Sequence, residues 1–452
     1  MARPSPPSIS PITFCRGWIR KWVRLNGAFY ESIPIKNAAA FNKGLVDRDA
    51  VGVKVLNDKT LEITLEYAVA TFDGAFTAYP LREEFVKAKG EALGGTPDDL
   101  EYSGPYILAE WVYDSHMVFE KNPNYIFADS SFPIDTLKLL VVPDANTRVA
   151  MFQAGEADII TSVSSEYLDT LEEYLIPYSA GNMLALQFNR YGKGGNAETA
   201  RVMQNRNFRL ALSYALDREA IISAAMPTSV PINRLVLDYF PDASGDDTFI
   251  DSYPVNTVPM NGDADKAKEY LQAALEELGY SSASQLPTIS YLSFSAPNYK
   301  VLAETLVDQW KQVLGLECFE INLLAVPMAI QTMMNYDYDI YLQSLGAGSD
   351  PSEVLAYFKT GGSINDLTGT GRNIFSDEDY DNLISQAQVN FDKEERYQLL
   401  AQAEQIILDS GVLAPLCSGR GFAAVQPYVE GYIDNPLDDG FTFNQLTISK
   451  KK

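Results

Sequence analysis

Residues 338–353 read YDIYLQSLGAGSDPSE. An alternating apolar stretch, strand-like in pattern, runs into a glycine-rich turn. The DPSE that follows has the residues that open a helix. Asp350 suits the N-cap, Pro351 the first helical position, and Glu353 the return arm of a capping box. Strand, turn and helix in that order make one step of an α/β fold, and the carboxyl end of such a strand commonly holds a ligand.

The same step recurs on either side. TISYLSF (288–294) reads as a strand, 299–315 as a helix, LECFEINLL (316–324) as a strand and 328–336 as a helix. That alternation predicts a largely parallel sheet flanked by helices. Capped helices are expected from Asp263 to Gly279, from Ser376 and from Asp392, with Asn207 and Asp217 as caps earlier in the chain. Strands at 412–417 and 421–426 close the series. Towards the amino terminus, 51–65 and 106–121 read as hairpins. Residues 134–161 read as a β-α-β unit with Asp144 as its cap and Gly155 as its helix stop.

Composition narrows the function. The chain has 452 residues, 46% apolar and 21% charged, enough for two or three domains. Its formal charge of −25 repels nucleic acid and anionic membrane surfaces, so no nucleic-acid partner is expected. The single histidine, His116, rules out multi-histidine metal sites and is expected at a solvent-facing hairpin tip. Neither a metal nor a cofactor is expected. Cys15, Cys318 and Cys417 form no CxxC pair; Cys318 and Cys417 are expected as buried thiols, with a bridge between them the alternative. No apolar run reaches the ~18 residues of a membrane helix, and the first 22 residues lack the apolar core of a signal peptide.

Motifs for catalysis are missing. There is no GxxxxGK[ST] loop and no GxSxG elbow, and GKGGNAE (192–198) reads as a solvated loop that follows no strand and opens no helix. Sixty acidic residues make any single carboxylate pair uninformative. What remains is a binding cleft at converging strand ends. Its expected lining is Ser344, Leu345, Gly346, Ala347, Gly348 and Ser349, with Thr161 and Ser162 after another strand and Ser293 and Ser295 after a third. Asp350 is expected as a cap that also borders the ligand.

Five segments together resemble a known family. They are YSGPYILAEWVYDSHMVFEKNPNY (102–125), VAMFQAGEADII (149–160), NRNFRLALSYALDREAII (205–222), SDEDYDNLISQA (376–387) and RYQLLAQAEQIILDSGVLAPL (396–416). In this order they are similar to the extracytoplasmic solute-binding proteins of peptide ABC importers. The resemblance implies a two-lobed α/β fold of the periplasmic-binding-protein type, closing by hinge motion. It implies a monomeric, non-enzymatic carrier outside the cytoplasmic membrane, with a peptide or peptide-like ligand and the permease subunits of an importer as partners. Residues 104–182 with 427–452 would form lobe I, 183–426 lobe II, and 14–103 the remnant of an extra domain, while 1–13 match nothing in the pattern.

Two departures from the family are visible. The resemblance starts at FCRGWIRKW (14–22), which implies that the export signal, the lipid-anchor cysteine and the first strands of lobe I are missing. Peptide-binding members also carry a pattern like GWgaDYnDP where this chain has SLGAGSDP, so Ala347 or Gly348 replaces the aspartate that meets the peptide ammonium, and Leu345 the tryptophan. The expectation is a carrier that does not grip a free amino terminus through a salt bridge at this turn. Rival readings are a peptide sensor or surface-interaction protein on the same fold, and a carrier of sugar, metal chelate or small amine.

Overall fold

The computed structural model describes residues 34–42, 44–57, 59–72, 82–125, 133–432, 434–435, 440–441 and 446–449. The segment 14–22, Cys15 and the unmatched start lie outside the described residues. By contact the chain divides into two compact units. One comprises residues 1–158, 426–432 and 443–452, and the other 159–425 with 433–442.

In the first unit, β1 (Val53–Asn57) and β2 (Thr60–Ile63) form the expected antiparallel hairpin. A three-stranded antiparallel sheet follows, in the order β3 (Tyr106–Val112), β4 (His116–Lys121) and β5 (Thr136–Leu140). His116 opens β4 rather than capping an exposed turn, and its Nε2 lies 3.6 Å from Glu110 Oε1. Asp144 caps α1 (Ala145–Gln153), accepting the Thr147 N–H at 2.8 Å. The expected β-α-β unit does not form. The strand after α1, β6 (Ile159–Ile160), pairs with the sheet of the second unit and not with β5.

The second unit is built on a sheet ordered β10-β9-β11-β7-β12-β6, with the short β8 (Val230–Pro231) beside β12. In chain order the principal elements are β7 (Leu175–Phe188), α2 (Ala197–Gln204), α3 (Arg206–Tyr214) and α4 (Arg218–Ala225). Then come α5 (Ala264–Leu278), β9 (Ile289–Phe294), α6 (Pro297–Leu314) and β10 (Phe319–Leu324). The series ends with α7 (Val326–Met334), β11 (Ile340–Gly346), α8 (Pro351–Ala356), α9 (Glu378–Val389), α10 (Lys393–Ser410) and β12 (Leu413–Val425). Only β10, β9 and β11 run parallel; β11 with β7, β7 with β12 and β12 with β6 are antiparallel. The sheet is therefore mixed, because β7 and β12 join it through connections that reverse direction. β12 is one strand with two bulges rather than two strands.

Both faces of this sheet are covered. Leu184, Leu186 and Phe188 enter a core with Trp310 of α6, while Met183 and Ala185 face a second core with Tyr380 of α9 and Leu400 of α10. Period-two alternation sends neighbouring side chains of β7 to opposite cores, which explains the unbroken apolar run around 183–186. β7 also passes without a break across 182/183, where the sequence suggested a lobe junction.

Local capping corrects three expectations. Asn205, not Asn207, caps α3, and Asp377, not Ser376, caps α9, each accepting an N–H three residues on. GKGGNAE does follow a strand, β7, and does open a helix, α2. Its donors are nevertheless taken: Lys193 N–H by Asp339, and the Glu198 and Thr199 N–H groups by the Asn196 side chain. Cys318 and Cys417 are free thiols, pushed up by burial to about 11 and about 12.

Candidate functional site

The site is built on the last residues of β11. Along one edge, β11 pairs with β7 from Ile340 opposite Phe188 to Gly346 opposite Asn182. Along the other edge it pairs with β9 only at Ile340 and Tyr341, after which β9 continues beside β10. Among the described residues, that edge of β11 has no strand against it from Leu342 onward. Ala347 N–H donates to the Gly181 carbonyl at 2.9 Å, so the odd-numbered residues turn their backbone groups towards β7. By alternation Ser344 and Gly346 turn theirs to the open edge, and the Ser344 carbonyl there accepts the Gln343 side-chain amide at 2.7 Å.

The turn beyond is rigid for local reasons. Gly348 has φ 75°, in the left-handed region, and a Cβ there would stand 2.7 Å from the Cβ of Glu353. Glu353 accepts the Ser349 N–H at 2.9 Å and the Ser349 hydroxyl as well. It thus reaches one residue further back than the expected capping box, which would have engaged Asp350. Asp350 itself caps α8 through the Ser352 N–H at 2.9 Å and lies 3.5 Å from the Arg396 guanidinium. The Tyr239 hydroxyl donates to the Gly348 carbonyl at 3.3 Å. Burial first, then the nearby charges of Glu353 and Asp238, pushes that phenol up to about 12, so it remains a donor at neutral pH. Burial and Glu353 push Tyr357 in the same direction.

The expected residues divide by exposure. Ser344, Gly346 and Ser349 are exposed and Gly348 and Asp350 half-buried, whereas Leu345 and Ala347 are 1% and 0% exposed and point into the core. Leu345 and Ala347 therefore have only backbone to offer a ligand. Ser293 is also buried within β9, while Ser295 is exposed.

A family model, bacterial extracellular solute-binding proteins, family 5 Middle, matches residues 22–366. The chain belongs to that family. Over 403 residues it is 28% identical to the oligopeptide-binding protein OppA of Bacillus subtilis (strain 168), covering 86% of this chain and 69% of that one. It is 27% identical to the dipeptide-binding protein DppE of the same organism over 411 residues, covering 89% and 71%. It is similar in structure to the substrate-binding domain of an oligopeptide ABC transporter from Bacillus anthracis str. Ames, with 26% identity, a TM-score of 0.74, and 98% and 84% of the two chains covered. The two-lobed α/β class expected from sequence is the fold of this family.

In this solute-binding protein Thr161 and Ser162 are exposed just past β6, where Val163 N–H donates to the Phe422 carbonyl at 2.8 Å. Position 422 is four residues along β12 from Ser418, which pairs with Met183 beside the turn, a separation of about 13 Å. No hydrogen bond joins Thr161 or Ser162 to the turn among the described residues. Tyr239, Glu353 and Tyr357 are the site residues that sequence reasoning missed. Glu353 carried a signal, since a carboxylate three positions after a cap can serve the turn before it; the tyrosines, one more than 100 positions upstream and the other just past the end of α8, carried none. Among the described residues no helix is long and apolar enough to cross a membrane.

Proposed function

We propose that this chain binds peptides, or peptide-like solutes, outside the cytoplasmic membrane and delivers them to an ABC importer, as a monomeric, non-enzymatic carrier. The observation that carries the reading is the open edge of β11. The Ser344 N–H and the Gly346 N–H and C=O are placed to pair with an extended ligand, as an added strand does, whatever the ligand's side chains, while the Ser344 C=O already holds the Gln343 amide. The names of the relatives, oligopeptide- and dipeptide-binding proteins, support the same ligand class. Gly348 and Ser349 would close the end of that strand. Thr161 and Ser162, and the lobe boundaries at 104, 183 and 427, stay part of the proposal, with hinge closure as the delivery step.

The ligand's amino terminus would not be met by a charge on residues 344–349, and Glu353 is already engaged by Ser349. Calorimetry with matched peptides tests both points. Peptides of three to five residues should bind, N-methylation of one central amide should weaken them about tenfold, and N-acetylation should cost less than about threefold. Binding that ignores backbone methylation would remove the added-strand reading. A large preference for the free amine would remove the uncharged-anchor reading.

A further inference from the structure

The end of the sheet away from the turn holds a cleft of about 590 Å³ with Arg190, Arg206 and Arg209 in its wall. It adjoins Phe188, six residues along β7 from Asn182 and so about 20 Å from the β11 turn. Three guanidinium groups together are unexpected in a chain of formal charge −25. None of the three is ion-paired with a carboxylate among the described residues.

Part of this cluster supports helix ends. Arg209 donates to the Met203 and Ser410 carbonyls, each at 2.6 Å, and Arg206 to the Asp409 carbonyl at 2.6 Å. These carbonyls lie at the carboxyl ends of α2 and α10, and α10 has no basic residue in its own last turn, so the arginines meet its dipole. That duty leaves groups unused. Among the described residues Arg209 Nε is buried without a partner, and the Arg190 guanidinium makes no hydrogen bond. Burial, followed by the charges of Arg190 and Arg206, lowers Arg209 to about 10, the direction expected of like charges held close together.

The remaining wall sets the kind of ligand. Phe375 and the half-buried Ile406 give an apolar floor, with the fully buried Phe188 and Met203 beneath it. Asp377 and Asp409 also reach the cleft, but Asp377 is committed to the Tyr380 N–H at 2.9 Å, and two carboxylates do not balance three guanidinium groups. We infer that this cleft binds a small organic carboxylate, its head held by Arg190 and Arg206 with Arg209 behind them, and its apolar body against Phe375 and Ile406. An oxyanion there supplies the counter-charge that the cluster lacks and accepts the paired donors a guanidinium offers.

Calorimetry on the 452-residue chain, at fixed ionic strength, tests this with phenylacetate against its neutral isostere phenylacetamide. Phenylacetate should saturate the protein, with the amide at least about tenfold weaker. Arg190→Gln removes no internal hydrogen bond, so it should weaken phenylacetate by about tenfold while leaving the unfolding midpoint and peptide affinity unchanged. Equal affinity for acid and amide, an absence of saturation, or phenylacetate binding indifferent to Arg190→Gln would each overturn the site and leave the arginines as helix supports.

Discussion

Gly348 shows how one residue excludes the charged anchor seen in the family pattern. Its positive φ of 75° costs any L side chain about 1–2 kcal/mol, and the space beside it is filled by Glu353, whose Oε2 would stand 2.6 Å from an added Cβ. An aspartate at 348 would carry both penalties and set two carboxylates against each other. Gly348→Ala should therefore lower stability by about 2–3 kcal/mol in urea unfolding. Part of that loss comes from contact with Glu353, so a double-mutant cycle with Glu353→Ala should show coupling of about 1 kcal/mol. Strict additivity would mean that backbone strain and the position-353 Cβ, which alanine keeps, are responsible. The glycine was visible in the sequence; its conformation and the reason for it were not, because the residue that fills the space reaches back from the following helix.

At the scale of elements, α10 ties the loop after α4 to the second core through one carboxylate. Glu404 is 0% exposed and accepts from Arg234 Nη2 at 2.6 Å, Leu235 N–H at 2.8 Å and Val236 N–H at 3.0 Å. Removing it strands a cation and two backbone donors inside the protein. Glu404→Ala should cost about 3–5 kcal/mol, read as a drop in unfolding midpoint, while Glu404→Gln, which keeps an acceptor, should cost less than half as much. A smaller loss for alanine than for glutamine would show that water reaches the site. Helices were the most legible elements. α5 and α10 sit where periodicity and caps put them, since a cap is satisfied within three or four residues. Strand pairing was less legible. The β5-α1-β6 segment has the sequence of a β-α-β unit, yet β6 joins β12, more than 250 positions away.

The chain carries its negative charge on a fold whose largest sheet is covered on both faces, so self-repulsion acts mainly across the surface. Raising sodium chloride from about 0.05 M to about 0.5 M shortens the screening length to a few ångströms and should raise Tm by roughly 2–5 °C. A falling Tm would mean that attractive surface pairs outweigh the net charge. By itself the sequence determined the α/β class, most helix limits, the family, and the absence of an aspartate at the turn, because these rest on residue types and on spacings of a few positions. Only the tertiary structure decided that the sheet is mixed, that Leu345 and Ala347 face the core, that β11 leaves β9 after Tyr341, and that three arginines meet at the far end of β7. Each of those depends on which distant segments share hydrogen bonds or surface, a choice made by the packing of the whole chain and written in no local pattern.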